Sequence, residues 1–154
     1  GREKSLGILT RYQDVNVIWT ANDSMGLGAY SAVKELNKER EVIVGGMGGF
    51  PDALDSIKNG GMKLTVAGHP MIGAWALTLI YDYHHGIDFV DDIGVNLKVD
   101  HLTVIDTGEK ADLYRDLVLD NPSQLDFTRF SKKLNKDLVR YNFSYDKVVE
   151  SAGR

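Results

Sequence analysis

Three short apolar runs in the first half of the sequence each end in a loop rich in Asn, Asp, Gly or Pro, and each loop leads into a helical segment. The runs cover residues 15–21, 42–44 and 63–67. Apolar runs of this length that alternate with helical patterns predict βαβ units and a parallel sheet. Small ligands bind beyond the carboxyl ends of the strands in such sheets, so the three loops form the expected binding edge.

Length and composition narrow the class of protein further. The 154 residues and the 43% hydrophobic content are enough to build one domain of ordinary size. The formal net charge of −4 gives no basic surface of the kind that nucleic-acid binding needs, so we expect no nucleic-acid partner. The absence of cysteine excludes disulfides and thiolate metal sites. The most apolar stretch, residues 71–83, is too short to span a bilayer and predicts a buried helix.

The rest of the secondary structure is predicted from apolar spacing and from helix start and stop signals. A half-buried strand is expected over residues 99–105, where Val and Leu alternate with polar residues. The last residues, 144–154, are expected to fray. Helices are predicted over residues 5–12, 24–38, 51–59, 70–85 and 127–139.

The pair Asn22-Asp23 stands where the first strand ends and the first full helix begins. Side-chain oxygens at such a position cap the helix, and the same position is where ligands meet the ends of parallel strands. A plain helix cap is the favoured interpretation from the residues alone. Gly26-Leu-Gly28 and Gly46-Met-Gly48 supply only the first two glycines of a dinucleotide fingerprint, so nucleotide binding is a minority interpretation.

The sequence gives no specific support for catalysis, and we expect no cofactor or metal. The adjacent His84-His85 diverge by about 100° on a helix and make a poor metal pair. Asp91-Asp92, His101 and Asp106 have no spacing that fixes a metal site, and charged loops are usually just solvated.

Taken together, residues 22–29, 42–52 and 57–67 resemble the second half of a type I periplasmic binding protein, and by motif the ribose-binding group of sugar-binding proteins. The match covers about residues 10–86 in order and spacing. The tail resembles that of the autoinducer-2 receptor of the same group, where a basic helix and a pair like Arg140-Tyr141 close the chain.

The resemblance implies an α/β fold with a doubly wound parallel sheet. It implies two lobes joined by a hinge, with the ligand clamped between them, and predicts that this chain begins inside a larger protein. Residues 1–69 are expected to form part of the C-terminal lobe. Residues 70–107 are expected to supply a helix and strand of the N-terminal lobe, and residues 108–154 a C-terminal extension with a helix.

The resemblance also implies the site residues. Asn22 matches an Asn that hydrogen-bonds a sugar hydroxyl, and both Asn22 and Asp23 match positions that contact ligand in the autoinducer-2 receptor. Met47 takes the place of an aromatic residue near the ligand. Gly48 stands where the sugar-binding proteins carry Asp, and Gly68 where they carry Gln or Arg. We therefore expect a small polar ligand bulkier than a pentose.

The implied function is capture of a small sugar or sugar-like signal in the periplasm, without catalysis, for an ABC transporter permease or a membrane sensor kinase. Two alternatives stay open: the effector domain of a sugar-responsive LacI-type repressor, and the nucleotide-binding half of an NAD-dependent enzyme. Self-association is also expected, because one face of the helix over residues 70–85 would lack its natural sheet. The apolar residues of that face are Met71, Ile72, Trp75, Leu79 and Ile80.

Overall fold

The computed structural model describes residues 1–95 and 100–154, and it divides into two compact units. The first unit comprises Gly1–Ala67 and Thr103–Arg115, and the second comprises Gly68–Leu102 and Asp116–Arg154. Within the described ranges, no helix is both long enough and apolar enough to cross a bilayer. The elements are, in order, α1 (Arg2–Arg11), β1 (Val17–Trp19), α2 (Asp23–Glu35), β2 (Ile43–Gly48), α3 (Pro51–Lys58), β3 (Leu64–Ala67), α4 (Met71–His84), α5 (Val90–Ile93), β4 (Thr103–Ile105), α6 (Gly108–Tyr114), a π-helical turn (Arg115–Asp120), two 3₁₀ turns (Pro122–Gln124 and Phe127–Phe130) and α7 (Tyr145–Ser151).

The first unit is built on a four-stranded sheet in the order β1-β2-β3-β4. The first three strands are parallel, so the predicted α/β class is confirmed. The predicted strand over residues 42–44 is too short, because β2 continues to Gly48. A side chain at Gly45 would collide with the Trp19 ring, since a Cβ there would lie 2.9 Å from the ring carbons. Glycine in this strand therefore reflects close packing rather than a loop.

The helices of the first unit pack on the sheet and on one another. α2 packs against α1 and β2, and α3 packs against β3 and α6. Buried side chains of this layer include Leu9, Ala32, Val33, Leu54 and Tyr114. On the opposite face of the sheet the in-register pair Val17 and Ile43 is exposed, as are Trp19 and Val104. That face is an open apolar surface of the first unit.

β4 corrects the expected division of the chain. It pairs antiparallel with β3 through Thr65↔Ile105, Val66↔Val104 and Ala67↔Thr103. Residues 103–107 therefore belong to the first unit and not with the helix that starts at Met71, and α6 follows them there. β4 pairs with the backbone groups at the edge of β3 that β2 does not occupy. The predicted strand began at Val99, which lies outside the described residues.

The second unit is organised around α4, which is apolar on most of its surface. Met71, Trp75 and Leu79 are buried, and Trp75 packs against the rings of Phe130 and Phe143. The expectation that this face of α4 lacks a cover is therefore wrong for these three residues. The chain's own C-terminal segment covers Trp75. Ile72 and Ile80 are exposed, as expected.

The predicted helix over residues 127–139 is also wrong. Only Phe127–Phe130 is helical there, as a single 3₁₀ turn, and residues 131–143 contain no helix. The predicted fraying of residues 144–154 is not seen, since α7 covers Tyr145–Ser151 with Val148 buried.

Self-association remains a prediction, now located on the exposed side of α4. Leu77 and Ile80 are 68% and 62% exposed, and exposed apolar patches often mark contact surfaces. We expect the light-scattering mass to rise toward that of two copies across a tenfold increase in concentration. Leu77→Lys should prevent the rise, whereas Ser123→Lys, which adds the same charge elsewhere in the unit, should not. A constant monomer mass for the unmodified chain would contradict the prediction.

Candidate functional site

The carboxyl ends of β1, β2 and β3 lie at one edge of the first unit's sheet, because the three strands are parallel. Asn22 stands at this edge as the N-cap of α2, and its Oδ1 accepts the backbone N–H of Met25 at 2.9 Å. The helix-cap interpretation is thus confirmed. Within residues 1–95 and 100–154 the Nδ2 amide of Asn22 has no hydrogen-bond partner, and the residue is half-buried. A donor is therefore available at the edge.

Asp23 lies next to Asn22 but turns inward. Its side chain is fully buried. Its Oδ2 accepts the backbone N–H of Phe50 at 2.9 Å, and its Oδ1 accepts the Thr65 hydroxyl at 2.7 Å. The charge lies in the first turn of α2, where the helix dipole favours an anion. The resemblance implies a ligand contact for Asp23, and in this structure both of its carboxylate oxygens accept protein donors.

The other three predicted site residues offer backbone or apolar groups. Met47 is half-buried near the end of β2, in register with Val66. Gly48 has φ +145° and Gly68 has φ +125°, and both values favour glycine. A Cβ at Gly68 would lie 2.2 Å from the carbonyl oxygen of His101, so that backbone excludes a side chain. Gly68 begins the second unit, whereas Asn22, Asp23, Met47 and Gly48 belong to the first.

The two incomplete glycine fingerprints are not phosphate-binding loops. Gly26 and Gly28 lie inside α2, and Gly46 and Gly48 lie inside β2. A dinucleotide fingerprint needs its glycines in the turn between a strand and a helix. Gly26 instead allows close packing, because a Cβ there would lie 2.5 Å from the terminal methyl of Met62.

Open grooves and a network of charges lie in the second unit. A groove of about 590 Å³ is lined in part by Arg129, Arg140 and Lys147. These cations pair with Asp126, Asp92 and Glu150 respectively, so they leave little unpaired charge for an anionic ligand. An apolar groove of about 660 Å³ lies between α4 and the turn at Phe127–Phe130. In the described part of the chain, no three His, Cys, Asp or Glu side chains could hold a metal ion together.

Asp82 is the centre of the charge network, and no pattern in the sequence predicts this role. Its fully buried carboxylate accepts the hydroxyls of Ser131 at 2.5 Å and Tyr141 at 2.7 Å. It also accepts the backbone N–H groups of Lys132 at 2.7 Å and Lys133 at 3.2 Å. Burial alone raises the pKa of Asp82, but these hydrogen bonds outweigh it and hold the pKa below its usual value. Burial and the neighbouring Asp82 raise the pKa of Tyr141.

Asp92 extends this network to the next segment of the chain. It accepts the backbone N–H of Tyr141 at 2.8 Å and pairs with Lys132 at 2.7 Å and Arg140 at 3.2 Å. These partners outweigh the effect of burial and lower the pKa of Asp92. The pair Arg140-Tyr141 therefore joins the C-terminal segment to Asp92 in α5 of the same unit. Asp91-Asp92 does not form a metal cluster among the described residues.

A comparison with known protein families shows to which family this chain belongs. The family description "periplasmic binding protein domain" matches residues 1–87, which is more than half of the chain. The chain belongs to the periplasmic binding protein family. The resemblance read from the loops after β1, β2 and β3 is confirmed.

Named relatives of this periplasmic binding protein chain match part of its length. The D-allose-binding periplasmic protein of Escherichia coli is 38% identical over 76 residues, which is 49% of this chain and 24% of that protein. The ribose import binding protein RbsB of Haemophilus influenzae is 36% identical over 93 residues, which is 60% of this chain and 31% of that protein. The matches thus span only about a quarter to a third of these relatives' length.

Solved structures extend the likeness to the rest of the chain. A periplasmic sugar-binding protein from Pseudomonas fluorescens matches with a TM-score of 0.81 and 27% identity. That match covers 96% of this chain and 45% of the other. The arabinose-binding protein AraP from Geobacillus stearothermophilus matches with a TM-score of 0.61 and 28% identity, over 73% of this chain and 40% of the other. The C-terminal segment beyond residue 87 therefore also has a counterpart in a known member of the fold.

Proposed function

We propose that this chain contributes to the capture of a small sugar or sugar-like ligand by a periplasmic solute-binding protein. The observation that carries the proposal is the free Nδ2 amide of Asn22 at the carboxyl edge of three parallel strands. Relatives named for D-allose binding and ribose import support the ligand class. The first of these names also supports the periplasm as the location, and a solved ABC transporter solute-binding protein supports such a transporter as the partner that receives the ligand. A sensor kinase is the second candidate partner.

We also propose that the ligand is bulkier than a pentose. Gly48 and Gly68 have backbones at which side chains are strained, so they can offer only backbone groups to a ligand. A site that binds its ligand through backbone groups at these two positions, instead of through long polar side chains, suits a hexose or a modified sugar better than a pentose. D-allose, which a solved transporter protein with 25% identity and a TM-score of 0.56 carries, is a suitable probe of this class, and D-ribose is its smaller comparison.

The two alternative functions have less support. The glycine pairs lie inside α2 and β2, which removes the main argument for an NAD-dependent enzyme. A LacI-type effector domain shares the Asn-Asp and glycine loops. In this sequence Gly60-Gly61 leads directly into β3, without the proline-rich stretch that is usual in those repressors.

The test is a titration of the full chain with D-allose, followed by amide NMR shifts, which detect even weak binding. We expect the shifts to concentrate at residue 22 and residues 47–50. Asn22→Ala should weaken binding about two- to tenfold, as expected for loss of one hydrogen bond worth about 0.5–1.5 kcal/mol. It should also cost about 1 kcal/mol of stability through loss of the cap.

Asn22→Ser separates these two effects. Serine keeps a side-chain oxygen that caps the helix, but its shorter side chain cannot donate a hydrogen bond from the position of the Asn22 Nδ2. We expect wild-type stability together with weakened D-allose binding. Unchanged affinity in both variants would show that Asn22 is only a helix cap. Tighter binding of D-ribose than of D-allose would contradict the inference about ligand size.

A further inference from the structure

The buried carboxylate of Asp23 joins three segments of the candidate binding edge. It lies in the first turn of α2, its Oδ2 accepts the N–H of Phe50 just before α3, and its Oδ1 accepts the hydroxyl of Thr65 in β3. The Thr65 oxygen in turn accepts the backbone N–H of Gly49 at 3.3 Å. Thr65, like Asp23, is fully buried. We call Asp23, Gly49, Phe50 and Thr65 the loop clamp.

The Asp23 carboxylate occupies space that two nearby glycines leave open. A Cβ at Gly46 would lie 2.7 Å from Asp23 Oδ1, and a Cβ at Gly48 would lie 3.1 Å from Asp23 Oδ2. The two glycines thus leave room for the carboxylate. Both of its oxygens are engaged by protein donors, and no part of it is exposed. A ligand hydroxyl at the edge would have to displace a protein hydrogen bond to reach it.

We propose that Asp23 is a positioning residue, which fixes the loop over residues 48–50 at the binding edge without contacting the ligand. The loop then presents its backbone groups and the Phe50 ring, which is 49% exposed, in one fixed arrangement. Fixing a loop in this way reduces the conformational entropy that a ligand has to overcome. The functional meaning of the clamp rests on the proposed function, whereas the clamp's existence does not.

Amide hydrogen exchange measured by NMR on the full chain tests the clamp without any ligand. In Asp23→Asn, one side-chain oxygen becomes an NH₂ group, so either the Phe50 N–H or the Thr65 hydroxyl loses its acceptor. We expect exchange protection of the Phe50 amide to fall by about tenfold to a hundredfold, while amides of α7 stay unchanged. Thr65→Val should lower the protection of the Gly49 amide, and Thr65→Ser should restore it. Unchanged protection at both amides in these variants would overturn the proposal.

A double-mutant cycle with D-allose then separates positioning from contact. If Asp23 acts through the loop, Thr65→Val should weaken binding about as much as Asp23→Asn, and the double variant should be no weaker than either. If Asp23 binds the sugar directly, Thr65→Val should have little effect and the two effects should add, which would overturn the proposal. If the unmodified chain binds neither D-allose nor D-ribose, the proposed function loses its support, while the exchange data still decide whether the clamp exists. Thr65→Val keeps the test valid should Asp23→Asn fail to fold.

Discussion

Replacement of Trp75 by Ala should lower the free energy of unfolding of the second unit by about 3–5 kcal/mol. The indole is 2% exposed, and its ring centroid lies 4.9 Å from Phe130, 4.9 Å from Phe143 and 5.8 Å from Phe127. Removal of the ring would leave a large cavity among three aromatic side chains that the rest of the unit cannot fill. Urea unfolding followed by circular dichroism measures the change.

Trp19 provides the matched control, because the chain contains two tryptophans and this one is 53% exposed. Trp19→Ala should cost clearly less than Trp75→Ala, because about half of the Trp19 surface stays in water in the fold. The contrast also tests the role of the C-terminal segment, since Phe127, Phe130 and Phe143 all come from it. A small effect of Trp75→Ala would mean that this segment does not pack on α4 as described.

The order of strands and helices in the first unit is predictable from sequence because its signals are local. Pro51 at a first helical position, Asn22 before α2 and the glycines at 60–61 each act within one turn of chain. The order of the three parallel strands follows from short right-handed connections. The partner of β4 carries no such signal, since its pairing with β3 joins residues far apart in sequence.

The failed helix over residues 127–139 shows how a tertiary contact overrides a local pattern. Phe127, Phe130, Leu134 and Leu138 have helical spacing, which favours a helix on the residues alone. The backbone N–H groups of Lys132 and Lys133 donate instead to Asp82. Phe127 and Phe130, the aromatic residues of this pattern, pack against Trp75. A single acidic residue inside the most apolar helix was the only available signal for this arrangement.

In the candidate site, too, local features were predictable from the sequence and long-range contacts were not. The capping role of Asn22 was predictable, because its partner Met25 is three residues away. The role of Thr65 was not, because its bond to Asp23 spans 42 positions, and a lone Thr in a strand is common. The glycines at 46 and 48 resemble a turn or a fingerprint in sequence. In the fold they leave room for the Asp23 carboxylate.

Asp82→Asn should destabilise the second unit by about 2–3 kcal/mol at pH 7, because it leaves buried donors without an ionised acceptor. Asparagine can still accept through one oxygen, but its NH₂ group would face two donors. These are either the Tyr141 hydroxyl and the Lys132 N–H, which donate to Oδ2 now, or the Ser131 hydroxyl and the Lys133 N–H, which donate to Oδ1. Thermal unfolding of the variant and the unmodified chain at equal concentration measures the difference. Asp137→Asn, at an exposed acidic residue of the same segment, is the control and should have little effect.

The lowered pKa of Asp82 also predicts how the stability of the fold changes with pH. The pKa of Asp82 is lower in the fold than the value of about 3.9 expected in the unfolded chain, so its ionised form stabilises the fold above that value. This stabilisation is complete at about pH 5 and above and is lost as the pH falls through the lowered pKa. Asp92 acts in the same direction, so acid should still destabilise the Asp82→Asn variant, but less steeply. The difference between variant and unmodified chain should therefore be largest near pH 7 and should shrink by pH 3. A difference that is constant across this range would show that the Asp82 charge does not hold the C-terminal segment in place.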